Sequence, residues 1–232
     1  MCRKSSDTLS VANNGMQRPA LRAAADAGEE PMRILKRRRV VLCGLTILVV
    51  MAIAPGYLRA FVVAGESDAP AYVTGDRVLI NLAAYELRTP YGTRRLVRLA
   101  DPLPGDVVLC RLPDGQLAIK RIAAGPGTRI GLRGNHVAIN GVSLIYTSLQ
   151  PEEEARIRRG RLGPVIQREG GNGPKVYVSF DPAHTDPGEE TEYTVRENSY
   201  FVLGSNRDVS VDSRHFGALP RNRILGKVIA RL

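Results

Sequence analysis

The sequence predicts a mainly β, antiparallel domain with a smaller inserted subdomain, preceded by one N-terminal transmembrane helix. Three observations carry this. Residues 40–58 contain no charge, and Arg33, Lys36, Arg37, Arg38 and Arg39 crowd before them. After residue 59, short apolar runs alternate with glycine- and proline-rich turn signals, as in antiparallel sheets. Between two such groups of runs, residues 143–196 change composition, with Gly, Pro, Asp and Glu abundant toward their end.

Taken in order, residues 1–32 are rich in Ala, Arg, Ser, Asp and Glu with little apolar periodicity, which predicts disorder. A helix over residues 40–58, at about 1.5 Å per residue, just covers a hydrocarbon core. Pro55 and Gly56 fall near its end. The basic cluster before it, against Arg59 alone close after it, keeps residues 1–39 in the cytoplasm and exports residues 59–232. A cleavable secretory signal and a buried soluble helix are the competing readings. The length of the run and the polar stretch before it favour an anchor. Strands are expected at 77–80, 106–110, 117–122, 136–139, 200–204 and 223–231. Within the insertion, a helix is expected from Pro151 to about residue 161, with acidic residues in its first turn, and a strand at 176–178.

The net charge of +10 and the pI near 9.9 suggest nucleic acid at first sight. Much of that charge is the local cluster before the apolar run, and no recognition motif accompanies it; aromatics are 5% with no Trp. No nucleic-acid partner is expected. Cys2, Cys43 and Cys110 suggest no disulfide, and Cys110 follows Val107, Val108 and Leu109 as a buried strand residue. His136, His184 and His215 are scattered, so neither a metal nor a cofactor is expected.

The chemistry gathers in four segments. Gly65-Glu66-Ser67-Asp68-Ala69-Pro70 lies just past the apolar run, and Gly75-Asp76-Arg77-Val78-Leu79 follows it. Ile119-Lys120-Arg121-Ile122-Ala123-Ala124-Gly125-Pro126-Gly127 comes next. Gly204-Ser205-Asn206-Arg207-Asp208-Val209-Ser210-Val211-Asp212-Ser213-Arg214-His215-Phe216-Gly217 lies near the end. A serine hydroxyl needs a positioned base, and no His-Asp pair is offered here, so a neutral lysine is the candidate. A lysine of ordinary pKa, about 10.4, is almost wholly charged at neutral pH; burial supplies the required depression. Strand alternation puts Ala118, Lys120 and Ile122 on one apolar face and turns Arg121 away. An edge-strand lysine snorkelling to water is the bland alternative for Lys120. For Asp212 and Arg214 it is an exposed ion pair of little energetic weight.

These segments resemble, in order, the G-x-S-M-x-P, G-D-x-V, K-R-V-x-G-x-P-G and G-D-N-R-x-x-S-x-D-S-R-x-x-G boxes of bacterial type I signal peptidases. The resemblance implies a signal-peptidase-like β fold and a membrane-anchored serine endopeptidase. Its substrates would be exported preproteins, cut after Ala-x-Ala at the outer face of the inner membrane, with contact to the export machinery possible. It implies Ser67 as nucleophile and Lys120 as general base. The Ser67 amide would serve the oxyanion, with Gly65 lacking the hydroxyl that some relatives place there. Ser210 would orient the lysine amine, and Asp212 with Arg214 would shape the site. Three departures stand out: Asp68 where the family has Met, Ala71 for a frequent Thr, and Ser205 for the Asp of G-D-N-R. Asp68, if turned inward, favours the charged form of Lys120. The departures leave open a specialised maturation peptidase of the conjugal-pilus type and an inactive preprotein-binding homologue. A repressor-type Ser-Lys autoprotease shares the chemistry, but the expected anchor opposes it.

Overall fold

A computed structural model of the protein describes residues 37–48, 56–89, 92, 94–158, 165–170, 176–180 and 190–232. The chain divides into two units, residues 1–52 and 53–232. In the first, α1 (residues 37–48) exposes Val40, Val41, Leu42, Leu45, Ile47 and Leu48. Among the described residues no helix is long and apolar enough to cross a membrane. The expected disordered residues 1–32, and residues 49–55 of the expected span, lie outside the described residues. One boundary is corrected. Leu58, expected to end the apolar span, opens β1 (Leu58–Val62), because its backbone pairs with Asn81 of β2 (Arg77–Asn81).

The second unit is mainly β and its strand ladders are antiparallel, as the sequence predicts. Its largest sheet runs β1-β2-β16-β5-β6-β14-β15. Here β5 is Val107–Arg111, β6 Leu117–Ala124, β14 Ser199–Leu203, β15 Leu219–Pro220 and β16 Ile224–Arg231. The uninterrupted apolar run of β5 is explained by cover on both faces. Val108 and Cys110 enter one core cluster with Ile122, Val202 and Leu219, while Val107 and Leu109 enter another with Val78, Ile80 and Val228. Cys110 is wholly buried and its Sγ contacts the Ala118 carbonyl oxygen at 3.4 Å. Burial pushes its thiol up to about 12, so it behaves as an apolar residue.

Strand β6 alternates as expected. Lys120, Ile122 and Ala124 are buried, and the pairing of β5 with β6 sets Lys120 opposite Val108. On the other side, β6 pairs with β14 through Ile122–Val202 and Arg121–Leu203.

Smaller sheets flank this one. A hairpin pairs β3 (Glu86–Arg88) with β4 (Arg95–Arg98). The strands β7 (Arg129–Arg133), β8 (His136–Ile139) and β9 (Val142–Ser143) form a meander. In the insertion, β10 (Ile145–Ser148), β11 (Ile166–Gly170) and β12 (Val176–Ser179) make a three-stranded sheet. Glu153 on α2 (Pro151–Arg158) accepts from Arg168 and Tyr177, which ties the helix to that sheet. Residues 159–164, where the helix was expected to continue in part, lie outside the described residues.

The sequence reading underestimated the strands here. Beyond 176–178, β11 forms, and β13 (Thr191–Thr194) pairs back onto β7 rather than staying within the insertion. Polar residues on both strands conceal their alternation.

Candidate active site

The end of β14 and the turn after it are held by side chains from further along the same loop. The Val202 amide donates to Ser213 Oγ at 2.9 Å, and the Gly204 amide to Asp212 Oδ2 at 2.9 Å. Asp212 also caps the short helix α3 (Ser213–Phe216), accepting from the Arg214 amide. Its two oxygens accept from Arg214 Nε at 2.9 Å and Nη2 at 3.0 Å, and Arg214 Nη1 reaches Asn135 Oδ1 at 2.9 Å.

Asp212 is 0% exposed, so this is no surface ion pair. Burial alone would raise its carboxyl. The Arg214 guanidinium and the Gly204 amide outweigh that and hold it below the ordinary carboxylate range.

Lys120 is 1% exposed, and its Nζ donates to Ser210 Oγ at 2.7 Å. Burial drives its pKa below the usual lysine value; Asp212 and Asp68 oppose the shift and Arg214 assists it. The apolar face anticipated for Lys120 therefore places it in the core with one polar contact for its amine, not at a wet edge.

Ser67 lies on the loop from β1 to β2, partly exposed, and its carbonyl accepts from the Asn206 amide at 3.2 Å. Gly204 locates it relative to Ser210, which holds Lys120. A Cβ built on Gly204 would sit 2.1 Å from Ser210 Oγ and 2.3 Å from the Ser67 carbonyl oxygen. The Ser67 backbone and the hydroxyl that holds Lys120 thus meet at one glycine. Gly65 is exposed, with nothing within 4 Å of where a Cβ would stand, so space exists for a side chain there.

Of the departures, Asp68 turns inward and is 2% exposed. The structure also brings in residues that the sequence reading did not single out. Ser179, at the end of β12, spans two segments: its amide donates to the Ser205 carbonyl and its Oγ to the Ala69 carbonyl, at 2.9 and 3.2 Å. Arg207 forms a buried pair with Glu169 of β11, through Nη2 at 2.7 and 2.6 Å to the two carboxylate oxygens, and Tyr146 donates to the same carboxylate. No local sequence signal identifies Glu169 or Ser179, because their partners are remote in sequence: Arg207 and Ser205 in the tail box, Ala69 on the Ser67 loop and Tyr146 on β10.

Arg207→Met is expected to destabilise the protein by about 3 kcal/mol, since it strands a buried carboxylate. Chemical denaturation checks this, and an unchanged midpoint would count against the pair's structural role.

Comparison with known proteins identifies the family. The family described as signal peptidase, peptidase S26, matches residues 36–232. The chain is 26% identical over 198 residues to signal peptidase I of Pseudomonas aeruginosa, covering 79% of this chain and 68% of that protein. It is 26% identical over 222 residues to signal peptidase I of Aquifex aeolicus, covering 82% of each. A crystal structure of an Enterococcus faecalis signal peptidase I aligns at 28% identity over 57% of this chain and 99% of that one, with a TM-score of 0.33. With the family match running from the basic cluster to the last residue, the chain belongs to the signal peptidase family, peptidase S26.

Proposed function

We propose that the protein is a membrane-anchored serine endopeptidase that removes N-terminal signal peptides from exported preproteins after Ala-x-Ala-type small residues. The observation that carries this is the buried Lys120 amine, held by Ser210 and gathered with the Ser67 loop around Gly204. Ser67 Oγ attacks the scissile carbonyl carbon while Lys120 Nζ takes the hydroxyl proton. The tetrahedral oxyanion is stabilised by backbone donors at the Ser67 loop, and Gly65 contributes no side-chain donor. Lys120 passes the proton to the departing amine, which leaves the signal peptide esterified to Ser67. Water then attacks the ester carbon, again giving a proton to Lys120. Collapse of the second intermediate returns that proton to Ser67 and releases the signal peptide as a carboxylate. Ser210 orients the amine, and Asp212 with Arg214 fixes the loop that carries Ser210.

The anchor reading rests on the apolar, exposed face of α1 and on Arg37, Arg38 and Arg39 at its start. The span begins in α1 and ends before β1, with the N-terminus cytoplasmic and residues 59–232 at the outer face of the inner membrane. Substrates meet the site there with their signal helices still in the bilayer.

Detergent-solubilised wild type is expected to cleave an Ala-x-Ala precursor, and Ser67→Ala to reduce kcat/KM by at least about 10³-fold. Undiminished cleavage by Ser67→Ala would overturn the mechanism.

A further inference from the structure

Two of the departures from the family boxes, read separately, each look damaging. A carboxylate at 68 sits beside the nucleophile, and position 205 lacks its acid. In the fold the two residues touch. Asp68 Oδ1 accepts from the Ser205 amide at 2.9 Å and from Ser205 Oγ at 2.6 Å, across 137 residues of sequence. Both side chains are buried, at 2% and 3% exposure.

We propose that Asp68 is a positioning residue for the catalytic dyad, its carboxyl group replacing, from the nucleophile loop, the acid that the tail box lacks at position 205. The inference rests on the Ser67–Lys120 reading.

The contacts give the residue a mechanical role. The Asn206 amide holds the Ser67 carbonyl, Ser205 holds the Asp68 carboxylate, and Ser179 Oγ holds the Ala69 carbonyl. Three consecutive residues of the nucleophile loop are therefore fastened, and Asp68 is the side-chain member of the set. Two donors converge on one of its oxygens, Oδ1, and fix the orientation of the carboxyl group.

Both cations and polar groups face it. Arg121 and Lys120 on β6 both act on Asp68, with Arg121 the stronger. Arg121 Nε is buried and without a hydrogen-bond partner among the described residues, as is Asp68 Oδ2. Tyr72 on the same loop also faces Asp68. Cys110 on β5, and Asp212 and Arg214 from the tail box, face Lys120. Burial pushes the Asp68 carboxyl up and outweighs the Ser205 hydrogen bonds and the two cations, which oppose it. Asp68 in turn favours the charged form of Lys120, so it couples loop position to the base's ionisation.

The exchange is tested by a double-mutant cycle in the full-length protein, using kcat/KM on an Ala-x-Ala precursor. Asp68→Met removes the acceptor, Ser205→Asp sets two carboxylates together, and the double variant relocates the single carboxylate. Each single change is expected to lower kcat/KM by about tenfold or more, and the double to return to within about threefold of wild type. Losses that add in the double would overturn the proposal.

Asp68→Asn keeps the shape and removes the charge. Its kcat/KM profile is expected to move its acidic limb to lower pH, because Lys120 loses a charge that favours its proton. A limb that stays in place would refute the positioning role. If a single variant fails to fold, thermal unfolding decides: a folded double supports the exchange, and an unfolded double refutes it. Should wild type not cleave, the catalytic reading fails on its own, and the same cycle read in Tm still tests the exchange.

Discussion

Lys120→Met yields a protein that no longer cleaves yet is more stable than the wild type at neutral pH. In the proposed mechanism Lys120 accepts the Ser67 proton and supplies one to the leaving amine, so a loss of at least about 10³-fold in kcat/KM is expected. The gain in stability follows from linkage. In the folded protein the Lys120 pKa lies below its ordinary value of 10.5. Between those two values the unfolded chain binds a proton that the folded chain does not, which favours unfolding. The cost is full below the folded-state pKa, shrinks as pH rises, and is gone above 10.5. Methionine of similar length has no such cost, and Ser210, which loses the Lys120 bond but keeps its hydrogen bond to Asp212, offsets only part of the gain. The Tm difference between variant and wild type is therefore largest at neutral and lower pH and closes toward alkaline pH. A variant less stable than wild type at pH 7 would show that burial of Lys120 carries no such penalty.

Gly204→Ala has the second largest expected effect. Its methyl would stand 2.1 Å from Ser210 Oγ, 2.3 Å from the Ser67 carbonyl oxygen and 2.5 Å from Ser210 Cβ. The hydroxyl alone could rotate aside, but a backbone oxygen and a Cβ cannot. The loop bearing Ser67 must part from the loop bearing Ser210, and Lys120 follows Ser210. Displacements near 1 Å cost about 100-fold in rate, so a fall of that order in kcat is expected, with about 1–3 kcal/mol of lost stability. Gly65→Ala is the matched control on the same site, since open space surrounds it. Equal kinetic losses in the two variants would show that crowding at Gly204 is not the cause.

What the sequence disclosed and what it hid have physical reasons. The face shared by Ala118, Lys120 and Ile122 was legible because strand alternation is local and period two. The strands β2, β5, β6 and β16 were legible because their apolar runs are dense. Polar strands such as β11 and β13 were not, since they form against partners rather than from their own pattern. Asp212 and Arg214 could be named from the tail box, but their burial depends on Asn135 and Gly204, which the box does not order by itself. The direction of Asp68 was hidden for the same reason. Its partner Ser205 is remote in sequence, and each residue read alone suggested a defect where together they satisfy one another.

The position of β16 also bears on when the site can exist. It follows the other strands of the large sheet in sequence, yet it lies inside that sheet, paired with β2 on one side and β5 on the other. The loop with Ser67 hangs from the β1–β2 side, and Lys120 belongs to the β5–β6 side. Until residues 224–231 have been synthesised and delivered, these two halves have no shared backbone ladder through the sheet. Delivery of β16 therefore times the assembly of the site: a molecule without it holds Ser67 and Lys120 without holding them in register.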